Sequence, residues 1–64
     1  MQKFMVVCWY CNSEGSVIES GVVFYNSLAY ARRLVEAYNS TGDYAQLYML
    51  HGEGPECYYV YCNE

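Results

Sequence analysis

Sixty-four residues make one domain, 1–64, and a composition 55% hydrophobic and 19% aromatic excludes a disordered tail. The formal charge is −4, with only Lys3, Arg32 and Arg33 basic, which argues against direct nucleic-acid binding and against anionic membrane surfaces. Nine tyrosines are more than one small core hides, so several must stand at the surface.

Lys3 to Cys11 (K-F-M-V-V-C-W-Y-C) is rich in strand formers and holds no breaker. Alternation puts Phe4, Val6, Cys8 and Tyr10 on one face and Met5, Val7, Trp9 and Cys11 on the other. Both faces are apolar, which predicts a central strand packed on each side. Asn12-Ser13-Glu14-Gly15 reads as a turn, because Asn and Ser bond their own backbone and Gly accepts positive φ. Ser16 to Tyr25 reads as a second strand, an edge, interrupted by Glu19, Ser20 and Gly21, with a bulge expected at Gly21.

Asn26 to Gly42 is the one clear helical stretch. Leu28, Ala31, Leu34, Val35 and Tyr38 share a side, while Arg32, Arg33, Glu36 and Asn39 lie opposite. Asn26 or Ser27 is expected to cap the first amides, and Gly42 to stop the helix. Asp43 to His51 alternates again, with Ala45, Leu47 and Met49 inward and Tyr44, Gln46 and Tyr48 outward. Gly52-Glu53-Gly54-Pro55-Glu56 is a strong turn signal. Cys57 to Cys62 reads as a last strand, with Tyr58, Val60 and Cys62 on one face and Cys57, Tyr59 and Tyr61 on the other.

The order β-β-α-β-β predicts an α+β fold, a four-stranded antiparallel sheet in spatial order 2-1-3-4 with one helix on one face. The other face would then carry Met5, Val7, Trp9, Tyr44, Tyr48, Tyr59 and Tyr61 without cover. Large exposed apolar patches mark interaction sites, and Tyr and Trp dominate binding hot spots. Trp9, Tyr44, Tyr48, Tyr59 and Tyr61 are therefore the candidate partner-binding residues. The same face offers a second use, pairing two copies into a homodimer.

Cys8-x2-Cys11 and Cys57-x4-Cys62 are the residues a zinc site would use. In straight strands each pair points to opposite faces, which favours free thiols packing as small hydrophobes. A redox role for the Cys8/Cys11 pair would need a helix N-terminus, and this pair lies in a strand. His51 with Cys57 would be the base and nucleophile of a thiol enzyme, but His51 reads as an exposed turn residue. Arg32 and Arg33 read as a solvated helix face, with Arg32 and Glu36 spaced for a weak contact. No cofactor is implied. Phe4 to Cys11 is too short to span a membrane and has no small-residue cleavage pattern, so a cytoplasmic location is expected.

A small acidic chain in which a hairpin feeds one helix (Phe24-Tyr25-Asn26-Ser27-Leu28-Ala29-Tyr30-Ala31) and then more strand resembles small bacteriophage proteins. Those proteins bind and block a host machine such as RNA polymerase, a CRISPR effector or a toxin. The resemblance implies a non-enzymatic inhibitor in the host cytoplasm whose partner is a host protein or complex, and it assigns no functional residue. Two alternatives come from other classes. The acids Glu14, Glu19, Glu36, Asp43, Glu53, Glu56 and Glu64 would let the chain imitate a nucleic-acid backbone, although they are scattered. The four cysteines would make it a small zinc-binding regulatory module.

Overall fold

The computed structural model describes residues 2–62. The elements are β1 (Phe4–Cys11), β2 (Val17–Tyr25), α1 (Leu28–Ser40), β3 (Tyr44–His51), a short 3-10 turn (Gly54–Glu56) and β4 (Tyr58–Tyr61). They form one antiparallel sheet in the order β2-β1-β3-β4, an α+β fold. This is the predicted order.

Two hinge points behave as the residues dictate. Asn12 Oδ1 accepts the N–H groups of Glu14 (2.9 Å) and Ser16 (3.0 Å), and Gly15 takes φ +84°, which closes the β1–β2 turn. Gly42 takes φ +87° just past α1, so the chain leaves the helix where expected. Two details differ. Ser27 makes no side-chain cap, and Asn26 Oδ1 instead accepts the Lys3 N–H at 3.2 Å, tying the helix start to β1. The irregularity in β2 is not at Gly21 but at Ile18, between the pairs Tyr10↔Glu19 and Cys11↔Val17. Gly21 stays in register opposite Cys8, and its carbonyl accepts the Cys8 Sγ–H at 3.4 Å.

Residues paired directly across strands share a face. The register therefore puts Phe4, Val6 and Cys8 on the side of Met49, Leu47 and Ala45. The helix packs on this side, over β1 and β3 more than over β2. Phe4, Val6, Ala31 and Leu47 are the buried cluster, with Tyr25, Leu34, Val35, Ala45 and Cys62 packed around it. Ala31 is wholly buried because a side chain of one carbon lets the helix settle on the sheet. Leu28, on the predicted inner side, remains 40% exposed in the first turn. Past the helix, Met49, Val60 and Tyr58 are also left open on this side.

The molecule measures 42 × 21 × 17 Å with a radius of gyration of 12.7 Å. A compact domain of this length has a radius near 11 Å, so the chain is extended and thinly covered. Leu47→Ala should cost about 3 kcal/mol, through lost burial and the cavity left behind. Arg33→Ala, on the solvated helix side, should change stability by less than about 0.5 kcal/mol. Urea unfolding of both variants checks the contrast, and equal effects would place the core elsewhere.

Candidate functional site: the open sheet face

Alternation that buries Val6 and Leu47 sends their neighbours to the opposite side. Met5, Val7 and Trp9 of β1 line up with Phe24, Val22 and Ser20 of β2. They also line up with Tyr48, Gln46 and Tyr44 of β3, and Tyr48 in turn pairs with Tyr61 of β4, Leu50 with Tyr59. All five candidate binding residues, Trp9, Tyr44, Tyr48, Tyr59 and Tyr61, therefore stand on one face. No described helix lies over it.

The five do not stand there equally. Tyr44 and Tyr61 are exposed, at 59% and 50%. Trp9, Tyr48 and Tyr59 are half-buried among their neighbours. Tyr48 packs edge-on against Tyr61, centroids 5.6 Å apart, and its hydroxyl donates to Gln46 Oε1 at 3.0 Å. Tyr59 donates its hydroxyl to the Gln2 carbonyl at 2.7 Å, and its ring lies 5.8 Å from Phe24. Phe24 and Tyr59 belong to opposite edge strands, which are three spacings, about 14 Å, apart in a flat sheet. The two rings nevertheless lean together across β1 and β3, on the side of half-buried Met5 and Leu50.

The face also includes residues that sequence reasoning left out. Val22 and Phe24 are 51% and 43% exposed and extend it onto β2. Their side follows only from the β1–β2 register, and the displaced bulge made that register hard to count from the turn. Leu50 needed one more step of the alternation already drawn through Tyr44, Gln46 and Tyr48.

None of the side chains that the paired strand positions put on this face is Asp, Glu, Lys or Arg; Lys3, whose carbonyl accepts the Leu50 N–H at 2.7 Å, continues the register at its edge. The described acids lie elsewhere: Glu14 in the turn, Glu19 on the helix side of β2, Glu36 on α1, Asp43 before β3, and Glu53 and Glu56 in the last connection. Asp43 Oδ1 is engaged by the Cys11 N–H at 3.0 Å.

No disulfide joins the four cysteines. Cys8 is buried on the helix side and Cys62 packs beside the core cluster on that same side, while Cys11 falls on the opposite face. Among the described residues no group of three or more His, Cys, Asp and Glu is gathered closely enough to hold a metal. His51 stacks on Tyr58, centroids 6.4 Å apart. A groove of about 280 Å³ runs between α1 and β3, lined by Arg32, Val35, Glu36, Asn39 and Ala45 among others. Among the described residues no helix is long and apolar enough to cross a membrane.

One titrating group is displaced. At the far end of α1 the hydroxyls of Tyr10 and Tyr38 share a hydrogen bond, with the rings edge-on at 5.3 Å. That bond, and after it the Cys8 thiol, pushes the Tyr38 phenol above its ordinary value. Comparison with family models, with curated proteins and with solved structures gives no match.

A raised phenol stabilises the fold while it stays protonated. The contribution is complete below the unfolded value near 10 and is lost as pH rises through the range up to Tyr38's own value. Stability should therefore fall with pH above about 10, and fall less steeply in Tyr38→Phe. Denaturant unfolding across alkaline pH reads the slope. An identical slope in the variant would contradict the assignment.

Proposed function

We propose that this chain is a non-enzymatic protein-binding module that docks through its open aromatic sheet face. We propose further that it is an inhibitor of the bacteriophage kind, which occupies a host protein or complex in the host cytoplasm. One observation carries the docking reading: a face paved with tyrosines, Trp9, Phe24 and Val22, with no acid at its paired positions, has no covering element among the described residues. Aromatic side chains give large contact area for little lost rotamer freedom, and tyrosine adds a hydroxyl for the polar rim. The inhibitor reading rests on the likeness in size, acidity and element order alone. Its action would be steric, since a small body laid on a partner excludes whatever else needs that surface.

The acidic-mimic alternative draws no support from the placement of the acids, which are distributed over turns, the helix and the helix side of β2 rather than along one line.

The test is capture from bacterial lysate by the immobilised chain, with Tyr44→Ala/Tyr61→Ala alongside. Both positions are at least half exposed, so the variant should fold. Loss of two hot-spot rings should weaken a genuine partner by about tenfold or more. A captured activity that the free chain also inhibits would complete the case. Capture unchanged by the double variant would show that the face is not the docking surface.

A further inference from the structure

We propose that the open face is closed by the same face of a second copy, making a two-sheet sandwich with a helix on each outer side. The proposal rests on the reading of this face as a docking surface and names its occupant.

Charge is the first argument. The chain carries −4, yet no acid stands at the paired positions of its open face, and the charge that the register brings there is Lys3 at one edge, opposite Leu50. A basic foreign surface would find no counter-charge there. Two copies would meet without setting acids opposite one another, because every described acid lies off the face. Depletion of charge at an apolar centre is the pattern of a homodimer interface, which resembles a domain core cut in half.

Surface is the second. The chain exposes 4656 Å². A folded monomer of 7.4 kDa exposes about 4,200 Å², so roughly a tenth more than usual is left in water. Among the described residues only Phe4, Val6, Cys8, Ala31 and Leu47 are buried hydrophobics. A core that small usually needs a staple or self-association, and no disulfide joins the four cysteines. A partner met only occasionally cannot supply that permanent cover. A second copy can.

Fit is the third. Sheets pack face to face about 10 Å apart, with strand directions roughly 30° from parallel. A twofold contact needs a face that is apolar at the centre and polar at its rim. Gln46 is the polar side chain in the middle strands, and its Oε1 already accepts the Tyr48 hydroxyl, so burying it strands no oxygen. Tyr44 and Tyr61, both exposed, hold the outer positions. A foreign target would then replace one copy by mass action.

The test is sedimentation equilibrium of the whole chain through the micromolar range, with the emission of Trp9 followed in the same dilution series. Trp9 is the sole tryptophan and stands on the face in question. The expected result is a particle of twice 7.4 kDa whose Trp9 emission moves to the red as it dissociates. Val22→Glu and Tyr61→Glu, both at least half exposed and checked for folding by far-ultraviolet circular dichroism, should raise the dissociation constant by about tenfold or more. A monomer at every concentration overturns the proposal, as does a dimer with unmoved Trp9 emission and no response to either glutamate. A monomer that binds zwitterionic phosphatidylcholine vesicles overturns it too, and assigns the face to lipid. A monomer that still captures a target through Tyr44 and Tyr61 overturns the dimer alone. A monomer that captures nothing removes the docking reading with it.

Discussion

The packing of Ala31 against Phe4, Val6 and Leu47 is the contact on which the rest of this molecule depends. It is small, and it lies on one side. A helix of thirteen residues is about 20 Å long and near 10 Å wide, enough to cover two strands of a four-stranded sheet. It settles on β1 and β3, the central pair, because those strands offer the apolar stripe that Ala31, Leu34 and Val35 can fill. Everything else follows from what that one element does not reach. The helix side of β4 is left with Tyr58 and Val60 open, and no described helix lies on the far side of the sheet.

On that far side the sheet supplies part of its own cover. Phe24 and Tyr59 lean together from opposite edges, and Tyr48 rests edge-on against Tyr61. Ring pairs of this kind add about 0.5–1.5 kcal/mol beyond the area they bury. They shelter Met5 and Leu50 partly, but Tyr44, Tyr61, Val22 and Phe24 remain in water. The face is thus organised, free of acids and uncovered by any described element.

Much of this was legible in the residues. Strand side chains alternate strictly, so β1 and β3 announced both their faces, and Gly42 and the Asn12–Gly15 turn marked where the chain must reverse. Strand order followed because a central strand apolar on both sides needs two neighbours. Legibility failed where a choice belonged to partners distant in sequence. Asn26 could cap the helix or bind Lys3 and does the latter, which only the packed start of β1 decides. The bulge fell at Ile18, although Gly21 was the residue able to take unusual dihedrals, because Gly21 is held in register by Cys8. Tyr59 was expected as a presented ring and is instead tied to Gln2 and Phe24, residues distant in sequence. The Tyr10–Tyr38 bond joins two elements that no local pattern relates.

The central claim is that the far face of the sheet is open in the isolated chain and closed only by another molecule. Hydroxyl-radical footprinting across a concentration series measures this side chain by side chain. In dilute protein Trp9, Tyr44 and Tyr61 should oxidise rapidly and become protected as concentration rises, while Phe4 and Leu47 stay slow throughout. If Tyr44 and Tyr61 were as protected as Phe4 in the most dilute sample, the chain would already be covering its own face, and the account would be wrong.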